Sequence, residues 1–163
     1  MSDSDDRFPV RRKIRLPRSS YRESHCFFVT IGTHKRYGWF GRHHALGDEL
    51  VNILNHTASG RHTQFFAWCI MPDHVHLLVQ DPDIVDLVRL LKGRATPLAR
   101  RVEPQRRLWQ RSFYDHGLRR DESVERVAQY IFENPVRREL ARSPPEYRWS
   151  GSNVWPAWRS LYD

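Results

Sequence analysis

The sequence predicts an α+β protein built on one antiparallel sheet. Three observations carry that expectation. Short apolar runs with a period of two alternate with segments of helical period. Two of the runs, 64–71 and 74–80, are separated only by Pro72-Asp73, which marks a tight hairpin turn. The chain has 163 residues, enough for one domain with a sizeable core.

Taken in order, residues 1–20 read as a flexible arm, acidic at Asp3, Asp5 and Asp6 and then basic at Arg11, Arg12, Lys13 and Arg15. Residues 24–33 form a first strand with Phe27, Val29 and Ile31 on one face. A glycine-punctuated loop then mixes His34, Lys35, Arg36, Tyr37, Trp39 and Phe40, residue types suited to phosphates and bases or equally to core packing. Leu46, Leu50, Val51, Ile53 and Leu54 give residues 44–58 a helical stripe. Strands 64–71 and 74–80 follow.

A second helix starts near Asp83, with Ile84, Leu87, Val88 and Leu91 inward, and Pro97 is expected to kink or end it. Residues 108–118 read as a fourth strand. The order β-α-β-β-α-β is the ferredoxin-like arrangement. An added helix, with Asp121 as cap and Val124, Val127, Ala128 and Ile131 on its stripe, should end by Asn134, because a residue before proline avoids the α region. A shorter helix over 136–142 should follow. Residues 21–142 thus form the domain, and 143–163 an aromatic-rich tail packed on it.

Strand alternation puts His74, His76 and Leu78 on one face and Val75, Leu77 and Val79 on the other. The imidazoles then lie roughly 6–7 Å apart along the strand, within reach of one metal ion. A His-x-His pair alone is more often a tolerated pair of polar residues, so a third partner is needed. Tyr130 and Asn134 lie one helical turn apart on the added helix and could supply it. The Asn134 amide oxygen would complete a two-histidine, one-oxygen site, unless its side chain caps the following helix. Tyr130 would point its phenol at the same phosphate, unless it is only a packed aromatic. A tyrosine is only about 0.1% ionised at pH 7, so a nucleophilic role needs help of the kind a divalent metal gives.

The net charge is +8 and the isoelectric point about 10.1, which points to a polyanionic partner, most simply nucleic acid. Fifteen of the 27 Lys and Arg residues fall in residues 7–22 and 89–111, so a defined footprint is expected. Arg11, Arg12, Lys13, Arg15, Lys35, Arg36, Arg89, Lys92, Arg94 and Arg111 are its candidates. Cys26 and Cys69 sit in expected strands and read as buried thiols; a zinc set of Cys69, His74 and His76 is disfavoured by the intervening turn. With no signal peptide and no apolar run of spanning length, the expectation is a cytoplasmic protein without membrane contact, monomeric or homodimeric.

Three separated motifs then carry a resemblance. Met71-Pro72-Asp73-His74-Val75-His76-Leu77-Leu78, Leu108-Trp109-Gln110-Arg111-Ser112-Phe113-Tyr114-Asp115-His116 and Tyr130-Ile131-Phe132-Glu133-Asn134-Pro135-Val136 resemble the single-tyrosine HUH transposases. Within these the match is most similar to the REP-associated tyrosine transposases. The resemblance implies Mg²⁺ or Mn²⁺ on His74 and His76, Asn134 as third ligand and Tyr130 as nucleophile. It also implies cleavage and rejoining of single-stranded DNA near hairpins of repeated extragenic palindromes through a 5′-phosphotyrosine. Two competing functions are a hairpin-binding protein without chemistry, which would not need the four site residues, and a zinc hydrolase of small phosphoesters, which would not need the concentrated basic charge.

Overall fold

The computed structural model describes residues 26–163. Its elements are β1 (Phe27–Gly32), a short α1 (Trp39–Arg42), α2 (His44–Gly60), β2 (Gln64–Met71), β3 (His74–Gln80), α3 (Ile84–Val102), β4 (Tyr114–Gly117), α4 (Val124–Arg137) and β5 (Ser150–Gly151). The sheet order is β4-β1-β3-β2-β5 with every pairing antiparallel. The first four strands have the ferredoxin-like order expected of the element sequence.

Because β1 and β2 flank β3, they run parallel to each other and need a crossover, supplied by α1 and α2; β3 and β4 flank β1 and are joined through α3. Helices α2 and α3 pack against each other and share one face of the sheet, as the right-handed rule for such crossovers requires. There they cover Val29, Ile31, Val75, Leu77 and Val79, none more than 2% exposed. The opposite face is covered as well. Helix α4 lies across β2 and β3 and buries Val127, Ala128, Ile131 and Phe132, and Leu78 beneath it is fully buried. The histidine face is therefore roofed by a helix.

Several sequence expectations are corrected. Helix α3 does not end at Pro97 but continues to Val102. Gly93, whose carbonyl loses its partner at Pro97, faces solvent together with the proline, while the stripe Leu91, Ala95 and Ala99 stays buried on the far side. Water can take the freed carbonyl, and burial of the stripe outweighs the local cost. Helix α4 likewise continues through Pro135 to Arg137, so no separate helix follows over 136–142. Its N-cap is Ser123, which accepts from the Arg126 amide at 3.3 Å, and not Asp121.

The fourth strand is shorter than expected. Trp109 makes only an isolated bridge to Thr33. The carbonyls of Gln110, Arg111 and Ser112 then all turn to the Lys92 ammonium, at 2.8, 3.4 and 3.2 Å. Strand carbonyls alternate in direction, so three consecutive ones on a single cation exclude a ladder there. The C-terminal residues add β5 beside β2, with Gly151 opposite Trp68. A Cβ at Gly151 would collide with that indole.

Candidate active site

Register makes the site. His76 lies opposite Thr30 on β1 and Cys69 on β2, and His74 opposite Gly32 and Met71, all on the face beneath α4. The two imidazoles meet at their tips, Nε2 to Nε2 3.0 Å. Both Nδ1 atoms are engaged. That of His74 lies 2.6 Å from Asp73 Oδ1, and that of His76 lies 2.9 Å from the Thr30 hydroxyl. The second Asp73 oxygen accepts from Arg36 Nε at 2.9 Å.

These contacts fix the protons. Burial pushes the Asp73 carboxyl up, but its bond to His74 and the Arg36 guanidinium outweigh that and hold it at about 2. As an anion Asp73 can only accept, so His74 carries its proton on Nδ1 and leaves a lone pair on Nε2. Burial, followed by repulsion from His74 whenever that ring is charged and from Arg137, Arg36 and Arg138, holds His76 well below the ordinary imidazole value. A neutral His76 can donate from Nε2 to His74 while Thr30 donates to its Nδ1. A cation at the two Nε2 atoms would displace that shared proton. The Thr30 hydroxyl, able to accept as well as donate, would then hold His76 in its Nδ1–H form.

Helix α4 brings the remaining residues over this pair. The Phe28 ring stacks on His76 at 5.3 Å between centroids and meets the edge of Tyr130 at 6.3 Å, so the tyrosine and the histidine flank one phenylalanine. Asn134, one turn on, is 5% exposed and lies inside the helix, which rules out the capping role. Arg137 lies over the Tyr130 ring, 4.0 Å from its centre. Tyr114, which reads from sequence as an ordinary strand residue, also meets Phe28, at 6.4 Å, from the position opposite Thr30 on β4.

Cys69, although beside His76, is a buried thiol pushed up to about 12 by desolvation and contacts Met71 Sδ at 3.5 Å. Among the described residues, no group of three or more His, Cys, Asp and Glu could hold a metal. A cation at the histidine pair would take its other ligands from amide, phosphate or water oxygen.

The basic candidates are spread more widely. Lys35 and Arg36 project from a turn with left-handed backbone (φ 54 and 56) beside the Pro72-Asp73 turn, next to the histidines. Arg89, paired with Asp86 at 2.6 Å, and Arg94, bonded to Thr57 at 3.1 Å, lie on the helix layer of the other face. Lys92 holds the loop before β4, and Arg111 is exposed on that loop. Arg11, Arg12, Lys13 and Arg15 lie outside the described residues. Sequence reasoning overlooked Thr30, Asp73, Phe28, Arg137 and Arg138. Arg137 had a local signal, lying seven residues after Tyr130 on the same helix, and Asp73 another, adjoining His74.

No helix among the described residues is long and apolar enough to cross a membrane. A protein of Haemophilus influenzae that carries the name of a REP-associated tyrosine transposase is 34% identical over 85 residues, covering 44% of this chain. The matched region spans about half, 48%, of that relative's length. An uncharacterised protein of the same organism is 25% identical over 161 residues, covering 77% of this chain and 88% of its own. Among solved structures, a REP-associated tyrosine transposase bound to a REP hairpin superposes with a TM-score of 0.63 at 18% identity, over 88% of this chain and 82% of that one. A Deinococcus radiodurans protein classed as a transposase gives 0.50 at 26% identity, over 68% and 90%. The family model described as "Transposase IS200 like" matches residues 22–134, and the chain therefore belongs to the IS200-like transposases.

Proposed function

We propose that this transposase is a metal-dependent single-stranded DNA endonuclease and strand transferase that acts near hairpins through Tyr130. The observation that carries the reading is the junction at Phe28, where the tyrosine of α4 and the histidine pair of β3 come together on one face of the sheet. The hairpin-bound structure of a similar fold supports hairpin DNA as the partner. Arg36, Arg137 and Arg138 supply the positive charge that a phosphate entering the site would meet.

The donor set fits a hard divalent ion. Two nitrogen ligands ~2.1 Å from one octahedral ion and at a right angle to each other are separated by ~3.0 Å; the Nε2 atoms stand 3.0 Å apart. His74, His76 and the Asn134 amide would hold Mg²⁺ or Mn²⁺, which supplies polarisation of a phosphoryl oxygen. Asp73 and Thr30 orient the two rings.

In the reaction the Tyr130 oxygen attacks phosphorus as its proton passes to solvent. The new oxygen–phosphorus bond forms as the bond to the 3′-oxygen breaks, and that oxygen takes up a proton. The products are a 5′-phosphotyrosine and a free 3′-hydroxyl. Reversal by another 3′-hydroxyl rejoins the strand with no external energy source.

The test is a denaturing gel with hairpin-flanked single-stranded DNA labelled 3′ of the break, with Mg²⁺ or Mn²⁺ and with chelator. Wild type and Tyr114→Phe should give a metal-dependent, slow-migrating band, and Tyr130→Phe should bind DNA without forming it. A band that survives Tyr130→Phe and vanishes in Tyr114→Phe would move the nucleophile to β4. Binding with no band in any variant would leave a hairpin-binding protein without chemistry.

A further inference from the structure

Arg137 stands seven residues beyond Tyr130 on α4. Seven residues are close to two turns, so the two share a face, and a helical side chain leans back toward the N-terminus over the earlier residue. Besides its stacking on the phenol ring, the guanidinium donates to the Tyr130 backbone carbonyl at 2.7 Å, and its other terminal nitrogen lies 3.7 Å from Glu133.

Pro135 has no N–H for the Ile131 carbonyl, so the helix ladder is interrupted one residue beyond the carbonyl that the guanidinium takes. A stack, a hydrogen bond and an ion pair together order a long side chain that is still 34% exposed. The same charge reaches the sheet, where it acts on His76 and Cys69.

We propose that Arg137 is a positioning residue for Tyr130, clamping the phenol in one orientation over Phe28 so that its oxygen is held toward the histidine pair. This rests on the reading of Tyr130 as nucleophile. An unclamped tyrosine on the rim of a helix would divide its time among staggered rotamers. A guanidinium 4.0 Å over the ring, with Phe28 against it at 6.3 Å, narrows that choice. The competing roles for an arginine here are a favourable charge at a helix C-terminus and a contact to DNA phosphate.

The experiment uses the full chain with Arg137→Met, which keeps the stem and removes the charge, and Arg137→Lys. Four quantities are read: thermal unfolding, hairpin-DNA affinity, single-turnover adduct rate at saturating DNA, and the ¹³C signal of the Tyr130 ring in tyrosine-labelled protein without DNA or metal. The Tyr130 signal is assigned by its loss in Tyr130→Phe.

The clamp predicts a Tyr130 signal that shifts toward that of a freely turning tyrosine in Arg137→Met. It also predicts an adduct rate down about tenfold with DNA affinity and folding kept, and partial recovery in Arg137→Lys. An unmoved Tyr130 signal overturns the clamp. So does a rate loss that disappears at saturating DNA, which makes Arg137 a phosphate contact, or a change confined to unfolding, which makes it a helix-end residue. Should wild type form no adduct, the nucleophile reading fails, while the ring signal still decides whether Arg137 holds Tyr130.

Discussion

Replacement of Trp158 by alanine should markedly destabilise the roof over the candidate active site. Trp158 is 2% exposed and stacks on Phe132 with centroids 4.0 Å apart and planes 9° from parallel. Phe132 is itself buried on α4, two residues beyond Tyr130. An aromatic side chain of this kind removes ~150–250 Å² from water, and at ~25 cal/mol per Å² that amounts to ~4–6 kcal/mol. Large-to-small replacements of buried aromatics cost ~3–5 kcal/mol, so ~4 kcal/mol is the expected loss. For a domain of this size, ~2–4 °C per kcal/mol gives a melting point lower by roughly 8–16 °C. Trp158→Phe keeps a ring against Phe132 and should lose less than half as much. The assay is urea and thermal unfolding followed by circular dichroism, with the midpoint expected to fall at unchanged slope. A loss below ~1 kcal/mol would refute the argument. It would mean that the C-terminal segment rests on α4 without holding it.

Two further outcomes concern the site. His76 is kept neutral in the folded chain and has an ordinary value of 6.5 when released. The unfolded chain therefore takes up the proton first. In chelator, stability should fall as pH drops below about 6.5, by at most ~1.4 kcal/mol per unit. His76→Gln should flatten that slope above pH 5, and an unchanged slope would show that His76 is not its source. Asn134 lies within α4 and caps nothing. If its amide is a ligand, Asn134→Ala should weaken Mn²⁺ binding by calorimetry at least ~10-fold while Asn134→Asp retains it. Full affinity in the alanine variant would remove Asn134 from the site.

Where the structure departs from local reading, the reasons are energetic and have a common form. A proline inside a helix costs ~3 kcal/mol. At Pro97 and Pro135 that cost is set against stripes of buried residues, each contributing ~1.5–3 kcal/mol, and the stripes prevail. Lys92 reads from sequence as a DNA contact because lysine on the polar side of a helix usually faces solvent; here three carbonyls enclose its ammonium. The strand β5, two residues long, has no periodicity to detect. It exists because Gly151 permits close approach to Trp68.

The sequence by itself determined the strands β2 and β3 to the residue, because a period of two interrupted by Pro72-Asp73 leaves few alternatives. The pairing of His74 with His76 on one face follows from the same period, and the ferredoxin-like order of the first four strands from the order of elements. Tertiary structure alone decided what surrounds the pair. Thr30 faces His76 through strand register across 46 residues of chain, and Phe28 joins His76 to Tyr130 across three elements. Alternation along a strand is a property of neighbouring peptide units, whereas register and the seating of α4 depend on burial summed over the whole sheet.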